Sequence, residues 1–210
     1  MGNNCYEHYE KIRDELDSIM RMYKEDAKDA KKLKGALVAE LLKKLIDDYL
    51  FKNCIQYKVS NVNSYIAGSK YEYDMLIVNK NAKPFMGRVY TPEDVISVVE
   101  CKTSGLYNIP KDTDNIASAV NRAIELKADI KFGYFTIWEN VPVNDYNSKG
   151  RLTINQWDKT KKLLKKKING VFAVYAATLR KGKKICYKSS DEEFHNFIDE
   201  LVLNNKKGSL

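Results

Sequence analysis

Two carboxylates and a lysine beside apolar runs are the residues whose types and spacing best suit chemistry. Asp74 opens the apolar run 75–78, and Glu100 and Lys102 close a second apolar run. Alternate residues of a strand point to the same face of its sheet, so Glu100 and Lys102 are predicted to project together while Cys101 points to the other face. An acid, a second acid and a lysine in this arrangement are what metal-dependent cleavage of a phosphodiester requires.

A metal centre formed by these residues requires that the two strands carrying them separate at one end, so that Asp74 approaches Glu100. The two carboxylates and the main-chain carbonyl of Cys101 can then hold Mg²⁺, which prefers oxygen ligands and keeps several waters. Mn²⁺ can substitute for it. Lys102 would orient the attacking hydroxide and offset the negative charge that develops on the phosphate. The alternative is structural: an Asp that caps a turn and a Glu–Lys pair that contributes little to stability.

The spacing Glu-x-Lys occurs twice in the chain, at Glu100–Lys102 and at Glu125–Lys127. The second copy falls on a predicted helix, where the side chains of residues two apart diverge. The first copy alone is therefore predicted to act as a pair.

The elements that must position these residues alternate between helices and strands. Apolar periodicity predicts helices over 6–33, 35–51, 112–128, 155–168 and 190–203. Short apolar runs predict strands over 55–59, 71–78, 95–102, 133–138, 171–177 and 184–188. This order indicates an α/β fold with a central mixed β-sheet flanked by helices. The short connection between the second and third of these strands predicts that they are antiparallel.

We predict a helical N-terminal extension over 1–34 and one domain over 35–210. No apolar stretch approaches the roughly 18 residues that span a bilayer, and the first residues do not resemble a secretory signal. We therefore expect no membrane attachment and a cytoplasmic location. The four cysteines form no Cys-x-x-Cys pair, so free buried thiols are expected rather than a zinc site.

The chain has a net charge of +8, and lysines crowd the predicted helix over 155–168 and a turn near residue 180. Such side chains bind phosphates without regard to base sequence, although a solvated helix face and an ordinary basic hairpin explain them equally well. The residues assigned to nucleic-acid binding are Lys161, Lys162, Lys165, Lys166, Arg180 and Lys183.

The segments 73–78, Tyr-Asp-Met-Leu-Ile-Val, and 98–102, Val-Val-Glu-Cys-Lys, resemble the PD-(D/E)XK nuclease superfamily. The helix that carries Gly35 and Glu40 is similar to the first core helix of that superfamily. The resemblance covers residues 35–138 and looks closest to a group of uncharacterised restriction-enzyme-like proteins. It implies a restriction-endonuclease-like core.

The same resemblance implies a function. It implies Mg²⁺-dependent hydrolysis of DNA, or less often RNA, with Asp74 and Glu100 as metal ligands, Lys102 as the catalytic lysine and Glu40 as an accessory acid. The implied partner is double-stranded DNA, and a homodimer would suit a two-fold DNA site.

Two other classes of function remain open. One is a nucleic-acid-binding module that keeps the nuclease-like fold but has lost turnover, which the basic helix and hairpin favour. The other is an interaction protein whose helical N-terminus, residues 6–33, mediates assembly.

Overall fold

The computed structural model describes residues 27–103, 109–138, 155–180, 183–186 and 189–202. The helices are α1 (Ala27–Lys52), α2 (Ile109–Leu126), α3 (Asn155–Lys167) and α4 (Ser189–Val202), and a 3₁₀ turn covers Pro92–Asp94. The strands are β1 (Tyr57–Val59), β2 (Ser64–Ile66), β3 (Glu72–Tyr73), β4 (Met75–Asn79), β5 (Val89–Tyr90), β6 (Val95–Thr103), β7 (Lys131–Trp138), β8 (Val171–Arg180) and β9 (Lys183–Cys186).

The main sheet is mixed, with strand order β1-β4-β6-β7-β8-β9. Strand β4 is antiparallel to β6, as the short connection between them predicted, and it is also antiparallel to β1. Strands β6, β7 and β8 are parallel, and β9 returns antiparallel to β8. The α/β class with a central mixed sheet flanked by helices is therefore confirmed.

Helices cover both faces of this sheet because its central strands are apolar on both sides. Helices α2 and α3 pack on one face, where Val98 of β6 and Val120 of α2 belong to the same buried cluster. Helices α1 and α4 pack on the other, where Val99 meets Ile46 and Phe197. Consecutive residues of β6 thus point to opposite helical layers, as the pleat requires.

The predicted strand over 71–78 is divided at Asp74, which is the main difference from the prediction. Strand β3 leaves the main sheet there and joins a three-stranded sheet of order β3-β2-β5. Strands β2 and β5 were not predicted, and they contain only three and two residues. Segments this short show no periodic pattern from which a strand could be predicted.

Helix α1 runs without a break from Ala27 to Lys52, so the predicted border at residue 34 lies inside it. Residues 1–26, with most of the predicted first helix, lie outside the described residues, and the division into extension and domain stays a prediction. None of the helices in the described ranges has the length and apolar character of a membrane span.

Two of the four cysteines have described side chains, and both are free thiols. Cys101 is half-buried, whereas Cys54 is exposed. The expectation of buried thiols is therefore wrong for Cys54, which follows the last turn of α1 in a left-handed conformation with φ of 53°.

Candidate active site where strands β4 and β6 separate

Asp74 lies at the point where β4 stops pairing with β6. The last pair between the two strands is Met75 with Val99, and Tyr73 pairs instead with β2 in the small sheet. The N–H of Asn63 donates to the main-chain carbonyl of Asp74 at 2.9 Å, so the backbone of Asp74 faces the β1 side. The two strands thus separate at this end, as the predicted centre requires.

The side chain of Asp74 occupies the place that a further β4 residue would take in the ladder. Its Oδ2 accepts the N–H of Cys101 at 2.7 Å. The N–H and C=O of one strand residue point to the same lateral side. The carbonyl of Cys101 is therefore also directed toward Asp74, beyond the last β4–β6 pair, where an oxygen ligand would be needed.

Glu100 and Lys102 project from β6 on the face that α2 and α3 cover, because they alternate with Val98. Their charged ends contact each other, and both side chains are half-buried. Lys102 also acts electrostatically on Asp74. The structure therefore brings Asp74, Glu100 and Lys102 together around the main chain of Cys101.

Burial raises the pKa of the Asp74 carboxyl above its ordinary value. The hydrogen bond from Cys101 and the positive charge of Lys102 oppose this rise, and the nearby Glu72 adds to it. The site thus holds a carboxylate where its charge is unfavourable, a property typical of functional sites. A cation beside Asp74 would remove part of that cost.

The thiol of Cys101 points away from the carboxylates and packs beside the cluster formed by α1 and α4. Burial raises the pKa of this thiol well above its ordinary value, and the charges of Asp74 and Glu100 act in the same direction. A thiol held protonated is a poor nucleophile. Cys101 would therefore serve the site through its main chain.

The oxygen atoms gathered at this place would suit some metal ions better than others. Among the described residues, no group of three or more His, Cys, Asp or Glu side chains could hold a metal ion. Asp74 and Glu100 supply two carboxylates, and Cys101 adds a carbonyl. Mg²⁺ is often bound by one or two carboxylates and several waters, whereas structural Zn²⁺ sites use four protein ligands, mostly Cys and His. The donor set therefore fits Mg²⁺.

Glu40 is exposed on α1, and α1 packs against the face opposite to Glu100 and Lys102. One turn later, Lys43 donates to Asn61 Oδ1 at 3.4 Å. This contact places the turn of α1 that carries Lys43 at the same end of the sheet as Asp74. The structure thus puts Glu40 near that end, but on the helix behind the sheet rather than among the three joined groups.

The structure describes the side chains of four of the six basic residues that were assigned to nucleic-acid binding. Lys162, Lys165 and Lys166 are exposed on α3, and Lys161 is half-buried. Leu164 and Ile168 of the same segment are buried in the cluster beneath. Arg180 and Lys183 are partners in the β8–β9 register, and their side chains lie outside the described residues. Helix α3 covers the face from which Glu100 and Lys102 project.

Two further residues position the site and were not predicted to do so. The hydroxyl of Tyr73 donates to the carbonyl of Ala119 in α2 at 3.0 Å, which ties the bend before Asp74 to that helix. Asn63, which donates to Asp74, has a φ of 57°. Asn is enriched in this left-handed conformation, so the turn could be predicted at Asn63, but its bond to Asp74 could not.

Comparison of the chain with protein-family models, with curated proteins and with solved structures finds no match. The resemblance to the nuclease superfamily therefore stays a prediction. What supports a function is the geometry around Asp74 and the charge of the surrounding surface.

Proposed function

We propose that this protein is a Mg²⁺-dependent endonuclease that hydrolyses phosphodiester bonds in DNA, with a restriction-endonuclease-like core. One observation carries the proposal. The Asp74 carboxylate accepts the Cys101 N–H at 2.7 Å where β4 leaves β6, beside the contacting side chains of Glu100 and Lys102. An isolated Asp at a turn would give a cap, but an Asp beside a second acid and a lysine gives a place for a cation and a phosphate.

Each group has a role in the proposed reaction. Asp74, Glu100 and the Cys101 carbonyl would hold the ion, which when bound lowers the pKa of a coordinated water and stabilises charge on the phosphate. Lys102 would position the attacking water and offset the charge that develops on the phosphate. To do so, its ammonium group must exchange its contact with Glu100 for one with the substrate. Glu40 remains an accessory acid in the proposal.

The surface around the centre suits a polyanionic substrate. The net charge is +8, and the exposed lysines of α3 lie on the helical layer that covers the face of Glu100. Lysine contacts to phosphates give affinity that is independent of base sequence and falls with salt. We propose double-stranded DNA as the substrate, and a homodimer as the form that would match a two-fold site.

Cleavage of supercoiled plasmid in Mg²⁺ tests the proposal, with Lys102→Ala as the test variant and Lys127→Ala as its matched control. Lys127 is the lysine of the second Glu-x-Lys, Glu125–Lys127, which falls in the helix predicted over 112–128. We expect the wild type and Lys127→Ala to cleave at rates within about twofold, since Lys127 lies outside the centre. Lys102→Ala should lose a factor of about 100 or more, as removal of a charge-stabilising group commonly does. Equal rates for both variants, or no cleavage by any protein in Mg²⁺ or Mn²⁺, would contradict the proposal.

The exposed lysines of α3 also favour a second candidate, a nucleic-acid-binding module without turnover. That function needs the basic face but not the acidic centre. Salt-dependent binding of duplex DNA with no metal-dependent cleavage would support it, and no binding at low salt would dismiss it.

A further inference from the structure

A turn between β4 and β5 presents two large apolar side chains to solvent. Phe85 is 72% exposed and Met86 is 84% exposed. Neither side chain contributes burial to the fold, so folding alone does not account for an adjacent phenylalanine and methionine at this turn. Apolar surface that is contiguous and exposed commonly marks a contact site.

Hydrogen bonds hold the main chain of this turn. The N–H of Phe85 donates to the carbonyl of Val89 at 2.8 Å, and the N–H of Arg88 donates back to the carbonyl of Phe85 at 3.2 Å. The side-chain amide of Asn61 donates to the carbonyl of Gly87 at 3.2 Å. The two apolar side chains are therefore carried on a fixed frame.

The backbone of the turn is unfavourable for the residue at its tip. Met86 has a φ of 49° and Gly87 a φ of 75°, the pattern of a type I′ turn, which strongly favours Asn, Asp or Gly at both positions. A methionine in this conformation is strained, and its exposed side chain gains no buried contact in return. Strained backbone conformations of this kind cluster at active sites and ligand-binding sites.

The turn lies close to the candidate active site. Asn61 binds the carbonyl of Gly87, and Asn63, two residues further, binds the carbonyl of Asp74. Two residues of extended chain and two hydrogen bonds place these carbonyls within roughly 15 Å of each other. That distance is less than half of one turn of a DNA duplex, about 34 Å.

The positive charge around the turn favours a polyanion as its binding partner. The chain between Asn79 and Tyr90 contains no Asp or Glu, and it carries three exposed cations, Lys80, Lys83 and Arg88. Two side chains also offer at most a few hundred Å² of surface, whereas a stable protein interface buries about 800 Å² per partner.

We infer that the Phe85–Met86 turn inserts its apolar side chains between adjacent base pairs of a bound duplex and unstacks one base step. Insertion of Phe or Met beside basic residues is an established way to deform a duplex from the minor groove. Lys83 and Arg88 would contact the flanking phosphates. The inference rests on the proposed function in that the ligand is a duplex nucleic acid, but it requires no cleavage.

Fluorescence of a duplex that contains an adenine analogue, whose emission rises on unstacking, tests the insertion in the absence of divalent metal. Phe85→Ala and Met86→Gly are the test variants, and Phe51→Ala is the control. Phe51 is 82% exposed, but it lies at the C-terminal end of α1, near the other end of β4. Met86→Gly removes backbone strain, so a lost signal in that variant cannot be attributed to unfolding.

We expect wild type and Phe51→Ala to raise the emission at some position along the duplex. Phe85→Ala and Met86→Gly should give at least about fivefold less emission at that position, because one stacked side chain is lost. Equal emission with all four proteins overturns the inference, and so does the absence of duplex binding at low salt. A lower sedimenting mass of Phe85→Ala with unchanged emission would instead identify a protein contact and would also overturn it.

Plasmid cleavage in Mg²⁺, measured on the same four proteins, separates this inference from the proposed nuclease activity. Cleavage by the wild type without any emission change would remove the insertion and keep the nuclease. An emission change that depends on Phe85, without cleavage by any protein, would keep the insertion and remove the nuclease.

Discussion

The two copies of Glu-x-Lys in this chain have the same spacing but different structures. At Glu100 and Lys102 the residues lie on strand β6, and their charged ends contact each other. Glu125 lies in the last turn of α2 and Lys127 directly follows that helix, and each binds a different partner. Residues two apart share a face in a strand and diverge on a helix, so the backbone decides whether the pair forms.

The helical copy has a structural role. Glu125 pairs with Arg122 at 3.0 Å on the helix surface. Lys127 donates to the carbonyl of Val95 at 2.8 Å and to that of Glu93 at 3.3 Å. It thereby ties the end of α2 to the start of β6.

The strand copy differs in burial and in its neighbours. The Glu100 side chain is 18% exposed and that of Glu125 is 64% exposed, so only the first carboxylate is substantially withdrawn from water. Asp74 supplies a third charge beside the first copy. The chemistry available to Glu-x-Lys therefore depends on the third charged group and on the main chain of Cys101 between the pair. The tripeptide spacing alone predicts neither.

The largest expected difference between the two copies is in the binding of Mg²⁺ and its dependence on pH. Burial raises the pKa of Asp74, and an ion needs the deprotonated carboxylate. As pH falls through that raised pKa, protons should displace the ion, and the apparent affinity should fall by up to about tenfold per pH unit. The measurement is the Mg²⁺-induced rise in the melting temperature at several pH values.

Matched variants make this measurement specific. Asp74→Asn should show no Mg²⁺-induced rise at any pH, because it cannot supply the carboxylate. Glu125→Gln should behave as the wild type does, since the helical copy has no third group. An unchanged Mg²⁺ response in Asp74→Asn would show that the strand copy does not form the proposed ion site.

The grouping of Asp74, Glu100 and Lys102 could be predicted because it depends on local rules. Strand alternation sets the directions of Glu100 and Lys102, and the short connection between the strands sets their antiparallel order. Apolar periodicity likewise predicted all four described helices, although α1 is already helical at Ala27, the first described residue, rather than from residue 35. The charged stretch before Gly35 gave no apolar pattern that would join the helices predicted over 6–33 and 35–51.

The remaining features depend on contacts between residues that are distant in sequence. The bond from Cys101 to Asp74 crosses 27 positions, and the bond from Tyr73 to Ala119 crosses 46. No local pattern predicts such pairs. The same is true of the small sheet, whose strands are held by pairing with each other and have too few residues to show a period. Sequence therefore predicted which three charged residues lie near one another, but not what fixes the bend at Asp74.

An effect of intermediate size is expected on stability when Asp74 is replaced without metal present. Asp74→Ala leaves the Cys101 N–H without its acceptor, which should cost about 1–3 kcal/mol relative to Asp74→Asn, whose amide oxygen can still accept. Urea unfolding in a chelator measures both. Equal stability of the two variants would show that the bond to Cys101 does not hold the strands at this bend.

The pH dependence of the same unfolding separates the charge of Asp74 from its hydrogen bond. Because the folded-state pKa of Asp74 is raised, its contribution to stability is fully present below the ordinary Asp pKa and is lost as pH rises through the raised value. The wild type should therefore lose stability relative to Asp74→Asn over that interval. A constant difference between the two across the interval would contradict the direction of the shift.

The smallest expected effect is the coupling between the two members of each copy, measured by double-mutant cycles in urea unfolding. Glu100→Gln with Lys102→Ala should show a coupling of about 0.5–1 kcal/mol, because the two side chains touch and are partly withdrawn from water. Glu125→Gln with Lys127→Ala should be additive within about 0.3 kcal/mol, since those side chains bind different partners. Both cycles combine Glu→Gln with Lys→Ala at positions two apart, so a difference in coupling cannot come from the types of residue that are exchanged. A coupling at the helical copy as large as that at the strand copy would mean that backbone direction does not decide whether Glu-x-Lys acts as a pair.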